Sequence, residues 1–537
     1  MKGNFDRTLR LARFILRKER VMSTIWVVAL FAVISGLGAG MYAAVEGEAR
    51  MALALAMENP AMIAMVGPVI GGENYTYGAM FTHNMMLFTV IAVAAMNIFF
   101  VVRHTRGDEE AGRYEMVRSL PTGRMANLNA TMVVAVLVNA AIAVTVGLGL
   151  AVTGDASMGF WPSMLWGASL GAVGLVFAAI AAICAQLTPS AGSATGYSFL
   201  IMGVFYVMRA AGDLGAEALS IISPLGLVLR AEVYVANHTW PVLLLIAMAA
   251  ILMALAYWLN SLRDIDQGFI PNRPGRAAAK KSLLSAFGLS KRLLRRSIIA
   301  WVIIMFGLGA SYGAVLGDIE TFIAQNEFYQ MLIGGLGDYS MVVMFASFTG
   351  TMMAALAMVP LISTVLKAWA EEKAMRTENV IAAVVPKNRY LAGFGLLAFI
   401  ASILMQLAMA LGLFVAAQFV LPDPGELGLG LLLQANLAYL PALWVIIGGA
   451  LLLVGLLPKA TTIIWAYFGF VFALTILGNM PDILPAWANY LSPLHYIPQL
   501  PMDDINFLTM GVLTIIAMVM TAVGLVAYDR RDISPNP

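Results

Sequence analysis

The chain has 537 residues, of which 61% are hydrophobic and only 12% charged, with a mean hydropathy of +0.84 and a formal net charge of +2. That is far too few polar residues for a water-soluble globule of this length, so a soluble enzyme or a nucleic-acid-binding domain is excluded and an integral membrane protein is indicated. The single cysteine, Cys184, lies in an apolar run and permits no disulfide framework within the chain.

Met1 to Arg20 comes first and reads as a basic amphipathic helix. At 100° per residue, Arg7, Arg10, Arg13, Arg17 and Arg20 fall on one side and Phe5, Leu9, Ala12 and Leu16 on the other. Such a helix is suited to the cytoplasmic surface of a bilayer. Its length argues against a secretory signal peptide. Apolar runs near 20 residues, the length that crosses a hydrocarbon core as a helix, then follow. They lie at 22–45, 80–102, 129–152, 163–187, 195–210, 240–261, 297–316, 339–366, 390–420, 430–457, 461–478 and 507–528. The runs are continuous, without the period-two alternation of a membrane barrel, so helices are predicted.

Charge fixes an orientation. Loops on the side of the N-terminus hold 29 of the 32 Lys and Arg residues; the other side keeps only Arg50, Arg209 and Arg230. By the positive-inside rule both termini are cytoplasmic and the span count is even, which favours twelve. The expected fold is an all-α polytopic protein of the bacterial cell membrane.

The chain also repeats itself. Asn59 and Gly67 match Asn326 and Gly334, Arg113-x-Glu115 matches Arg376-x-Glu378, and Pro121-x-x-Arg124 matches Pro386-x-x-Arg389. Ser223-Pro224-Leu225 matches Ser492-Pro493-Leu494, and Arg263-Asp264-Ile265 matches Arg531-Asp532-Ile533. Five matches in one order at nearly one offset predict two tandem six-span halves in the same orientation. The organisation read from this is an amphipathic segment (1–20), a first half (21–265), a cytoplasmic linker with a basic amphipathic segment (266–296) and a second half (297–537). Pro271, Pro274 and Gly275 suit the linker.

Chemistry is sparse. The four histidines, at 83, 104, 238 and 495, are scattered over both sides, so no metal site is expected. No G-x-x-x-x-G-K-[ST] loop occurs, so no nucleotide is expected to bind by that route. Ion-coupled carriers keep charged residues in mid-membrane; these spans hold almost none and carry instead the neutral Asn97, Asn139, Gln406 and Asn436 with many Met and Phe. Hydrogen bonding between helices accounts for such amides, and a lining for a bulky apolar substrate is the sharper alternative.

Two charged loops stand out, 103–126 and 367–390. In the first, Asp108, Glu109, Glu110 and Glu115 interleave with Arg106, Arg113, Arg118 and Arg124; in the second, Glu371, Glu372 and Glu378 interleave with Lys373, Arg376 and Arg389. Mixed charge on one short helix is an ordinary solvated face. Its recurrence at equivalent places suggests a surface that docks into a separate cytoplasmic protein.

The stretch TRGDEEAGRYEMVRSLPTGR, with SLRDIDQGFIPNRPG at the end of the first half, resembles the membrane subunits of ABC-2 type bacterial ABC exporters. The resemblance extends over essentially the whole chain and is strongest to the duplicated twelve-span permeases of polyketide or tetronasin-type antibiotic exporters. It implies a permease that is not itself an enzyme, working with two copies of a separate cytoplasmic ATPase. ATP and Mg would be held in that partner, with no cofactor in this chain, and hydrophobic small molecules would be moved to the outer leaflet or exterior. It further implies coupling segments at Glu109, Glu110, Gly112, Arg113, Glu115, Pro121 and Arg124, and at Glu371, Glu372, Arg376, Glu378, Pro386 and Arg389. The second copy departs from the pattern: Glu372 and Arg376 stand one residue further apart than Glu110 and Arg113, and Ala374 or Met375 replaces Gly112. The rival reading is a proton-coupled drug antiporter of the major facilitator type, which also has twelve spans; the lack of carboxylates in the spans argues against it.

Overall fold

The structure is a computed structural model that describes residues 2–38, 40, 47–72, 74–264, 267–271, 278–318, 340–382, 386–421, 427–477 and 486–532. Ile265, Pro274, Gly275, Asn326, Gly334 and Ile533 lie outside the described residues. The described residues are helical and contain no strand. The chain divides into two compact units, Met1–Gly275 and Arg276–Pro537.

In the first unit the helices are α1 (Thr8–Phe31), α2 (Gly47–Met57), α3 (Pro60–Val66), α4 (Tyr77–His104), α5 (Arg106–Glu110), α6 (Arg113–Arg118), α7 (Ala126–Ala151), α8 (Phe160–Leu187), α9 (Ala191–Asp213), α10 (Glu217–Ile222), α11 (Pro224–Leu229) and α12 (Trp240–Leu262). The most enclosed of them is α8, which packs on α4, α7 and α12. Its small residues allow this: a Cβ at Gly167 would overlap the Ala143 carbonyl of α7, and one at Gly174 would overlap the Asn139 side chain. The basic N-terminal segment and the first span are one unbroken helix, α1. Its buried stripe is Thr8, Ala12, Ile15 and Glu19, while Leu9 and Leu16, from the side expected to be apolar, stay exposed along with the arginines. The reason is that α1 packs lengthwise on α7, which sets the inward stripe by contact and not by hydrophobicity alone.

The second unit holds α13 (Ala286–Val315), α14 (Met341–Lys373), α15 (Thr377–Ile381), α16 (Lys387–Val420), α17 (Leu429–Leu437), α18 (Leu440–Leu456), α19 (Ile463–Leu477) and α20 (Phe507–Arg530). Close pairs form between α13 and α16 and between α18 and α20. Glycines sit at both contacts: Gly309 and Gly412 in the first, Gly455 and Gly524 in the second. The core gathers Met358, Leu361, Phe394, Met405, Ile447 and Leu451 from α14, α16 and α18.

Among the described residues, 11 stretches are long and apolar enough to cross a membrane, one of them formed by α17 and α18 together. The twelfth expected span, 461–478, appears as the 15-residue α19. The protein is an all-helical, multi-span membrane protein.

Candidate functional site

Where α4 ends, Thr105 leaves the helical conformation (φ −113°, ψ −89°), and α5 begins at once. Gly112 then takes a left-handed conformation (φ 70°) that breaks α5 from α6. The loop is thus two short helices with a corner between them, and three contacts secure it.

The first contact surrounds Asp108. Its Oδ1 accepts from Arg113 Nε at 2.7 Å and pairs with Arg113 Nη2 at 2.7 Å, while Lys18 Nζ lies at 3.6 Å. His104 Nδ1 lies 3.5 Å from the other oxygen, and His104 Nε2 lies 3.1 Å from Glu19 of α1. Burial alone would push the Asp108 carboxyl up, but the contacts with His104 and Arg113 and the nearby Lys18 charge outweigh it and bring it down to about 2. Asp108 lies beyond the apolar part of α4. Its folded value is depressed, so its contribution to loop stability is complete above the ordinary carboxylate range near about 4 and is lost as pH falls through about 2.

The second contact is buried. Glu109 pairs with Arg106 at 3.0 Å and with Arg263, the residue that ends α12, at 2.8 Å. Arg124 Nη2 donates to the Arg263 carbonyl at 2.8 Å. In the third contact, Glu110 Oε2 accepts the backbone N–H of Ala191, the first residue of α9, at 2.9 Å. Such N–H groups have no partner inside the helix and favour an anionic acceptor.

The second unit repeats the plan. Glu371 pairs with Lys367 at 2.8 Å and with Arg376 at 3.4 Å. Glu372 pairs with Arg531, which ends α20, at 2.6 Å. Lys387 Nζ donates to the Arg531 carbonyl at 2.8 Å. Arg531 also stacks over Trp369 and Tyr528, at 5.5 and 5.0 Å from their ring centres. Met375 is left-handed at φ 58°.

This geometry changes the register expected between the loops. Asp108 corresponds to Glu371, Glu109 to Glu372 and Arg113 to Arg376, with equal spacing in both copies, and Met375 stands in the place of Gly112. The apparent extra residue came from matching Glu372 to Glu110. A left-handed conformation costs a side-chain-bearing residue about 1–2 kcal/mol. Gly112→Ala, whose new methyl would meet nothing within 4 Å, is expected to destabilise the loop by about 1 kcal/mol through backbone strain alone. Met375→Gly is expected to stabilise by a similar amount. Thermal unfolding of the detergent-solubilised variants measures both.

The remaining loop residues divide by exposure. Glu110, Gly112, Arg113, Glu115, Pro121, Arg124, Arg376, Glu378, Pro386 and Arg389 are exposed, whereas Glu109, Glu371 and Glu372 are buried. Two apolar side chains beside the exposed charges, Met116 (66% exposed) and Leu120 (56%), point away from the unit. Sequence reasoning did not single them out, and runs of charge mask single apolar residues of this kind.

Asn97 and Asn139 donate to one another's side-chain oxygens at 3.0 and 2.7 Å, and each also donates to the carbonyl four residues before it. They form an interhelical clasp between α4 and α7. Asn436 donates to Leu432, while its Oδ1 and the Gln406 Nε2 are buried with no hydrogen-bond partner among the described residues. No group of three or more potential metal ligands occurs among the described residues.

At the far end of the unit from the charged loop, Arg209 of α9 is fully buried. Its guanidinium donates to the carbonyls of Ile63 (3.1 Å), Ala64 (2.6 Å) and Met65 (3.3 Å), which end α3, and pairs with Asp213 at 3.2 Å. Tyr206 lies under it, 4.7 Å from the ring centre, and also donates to the Met65 carbonyl. A cation is well placed there, at the carbonyl end of a helix, where Ile63 still accepts the Gly67 N–H at 2.9 Å and the later carbonyls turn to the guanidinium and to Tyr206.

The family model for the C-terminal domain of the multidrug efflux system permease Rv1217c matches this chain twice, at residues 11–259 and 283–529. A relative, the multidrug efflux system permease protein Rv1217c of Mycobacterium tuberculosis (strain ATCC 25618 / H37Rv), is 33% identical over 538 residues, covering 99% of this chain and 96% of its own length. The chain therefore belongs to the Rv1217c family of multidrug efflux system permeases and carries the family's domain in both of its halves.

Proposed function

We propose that this protein is the membrane-spanning subunit of an ATP-driven exporter of hydrophobic drugs or antibiotics, of the ABC-2 type, powered by two copies of a separate ATPase docked beneath loops 103–126 and 367–390. Both termini then lie in the cytoplasm. The ATPase holds ATP and Mg, and its closure pushes on the loops and rearranges the helices above them. Family membership supports the transport of drugs, and the lack of a phosphate-binding loop in the sequence supports an external source of energy.

The observation that carries the docking part is the division of labour within the first loop. Its buried acid, Glu109, is tied to Arg263 on the last helix of the unit, while Arg113, Glu115, Met116 and Leu120 present a charged and apolar face to a partner. A docking surface needs such apolar anchors with a polar surround.

Met116→Asp tests it. The side chain is exposed, so the unfolding temperature is expected to stay within about 1–2 °C of wild type. Copurification of the ATPase, stimulation of ATP hydrolysis and drug efflux are expected to fall at least about tenfold, the effect of one charge placed in a desolvated contact. Glu110→Ala with Arg113→Ala is expected to act in the same direction. Normal efflux from vesicles carrying these variants, or efflux driven by a proton gradient without ATP, would reject the proposal.

A further inference from the structure

A cavity of about 180 Å³ opens between α1 and the neighbouring α4 and α7, beside the first charged loop. Its walls are mainly apolar, with Met22, Trp26, Met96, Phe99 and Phe100; Ser23 and the substrate-path candidate Asn97 also line it, and Glu19 with Arg103 closes its loop end. An acid in such a wall is costly unless paired. Glu19 is 3% exposed, and its Oε1 meets His104 at 3.1 Å and Arg103 at 3.3 Å.

The two partners are not equivalent. His104 is fully buried and held between Glu19 and Asp108. Arg103 is half in water, its side chain 53% exposed, and Glu19 is its one ion-pair partner among the described residues. An ion pair with one arm in water contributes little, so the guanidinium is readily exchanged for another cation. A ligand that brings its own positive charge inside, together with a ring against Trp26 or Phe100, satisfies the same carboxylate and fills the apolar walls. An anionic ligand would have to sit against Glu19, and a neutral one would gain nothing from it.

We infer that this cavity is a binding site for lipophilic organic cations, specifically the head of a quaternary ammonium compound carrying one aromatic ring, with Glu19 as its counter-ion and Arg103 as the stand-in that occupies the carboxylate when no ligand is present. The size fits the ring: a cavity of about 150 Å³ accommodates a single benzene ring, so this one takes the aromatic part and leaves the ammonium group at the open end, where the Arg103 guanidinium now meets Glu19. Methionines beside aromatics suit ligands of varied outline. The site also lies one imidazole away from the loop, since His104 touches both Glu19 and Asp108. The inference rests on the drug-efflux reading and gives it a substrate class.

The test is equilibrium binding of benzyltrimethylammonium to the purified permease in nanodiscs, with neither ATPase nor ATP present. Neopentylbenzene, the same shape without the charge, is the comparison. Saturable binding of the cation is expected, with the neutral isostere bound at least about tenfold more weakly, the difference one desolvated charge contact makes. Glu19→Gln is expected to weaken cation binding at least about tenfold and to leave the isostere unchanged. Arg103→Ala, a change at an exposed side chain that leaves the fold in place, is expected to tighten cation binding at least about threefold by removing the competitor. Absence of saturable binding to wild type, equal affinity for cation and isostere, no effect of Glu19→Gln, or unchanged or weaker binding to Arg103→Ala would each overturn the inference. The assay needs no energy input, so a failure of the coupling proposal leaves it unaffected, and the two can be judged separately.

Discussion

Glu109→Ala is expected to be among the most destabilising single changes in the protein, costing about 3–5 kcal/mol. The side chain itself is small, and what matters is what it leaves behind. Arg106 is 2% exposed and Arg263 has only 8% of its side chain exposed, and both lose their counter-ion together. Two guanidinium groups stranded away from water carry a penalty far larger than the net worth of the original pairs. Heat-induced aggregation of the detergent-solubilised variant measures the loss. The double change Glu109→Leu with Arg263→Leu is expected to cost less than the sum of the single changes, since it removes both partners of one pair. The matching change in the second unit, Glu372→Ala, is expected to cost less than Glu109→Ala because the Arg531 side chain keeps 18% of its surface in contact with solvent.

Arg209→Leu is expected to be comparably severe, at about 3–5 kcal/mol, with its effects at the opposite end of the unit. The variant takes the guanidinium away from the Ile63, Ala64 and Met65 carbonyls, of which Ile63 keeps the Gly67 N–H and Met65 the Tyr206 hydroxyl, and leaves Asp213 with Ser220 as its hydrogen-bond partner. Segment 60–67 then has little to hold it against α9 beyond the Tyr206 hydroxyl. Labelling of a cysteine placed at Val66, which is 3% exposed, by a water-soluble maleimide reports the release, and it is expected to accelerate at least about tenfold as the protected state opens. Arg209→Lys keeps the charge but loses the planar fork that reaches three carbonyls at once, so an intermediate rate is expected. An unchanged labelling rate in Arg209→Leu would show that α3 is held without the guanidinium, by packing and the Tyr206 and His83 hydrogen bonds.

The helices themselves were legible. Long apolar runs with no alternation specify their own geometry, and α4, α7, α8 and α12 lie where hydropathy places them. What the sequence concealed is pairing across distance. Nothing local in GDEEAGR says that Glu109 turns inward to a residue at 263 while Glu110 turns to a helix N-terminus at 191. The same holds for Arg209, whose partners lie about 145 residues earlier. Glu19 was hidden for a different reason: in a segment dominated by arginines, its placement on the stripe facing α7 emerges only from packing. A clue did exist in the recurrence of Arg263-Asp264 as Arg531-Asp532, and its physical meaning is the two salt bridges back to the loops.

Each loop is riveted twice to the closing residue of its own unit, once through a carboxylate and once through a main-chain carbonyl: Glu109 and Arg124 to Arg263, Glu372 and Lys387 to Arg531. If a partner pushes on these loops as proposed, the displacement reaches the tail of α12 or α20 through these two links, so that within each half the last helix in the chain shares the motion of a loop encoded far ahead of it.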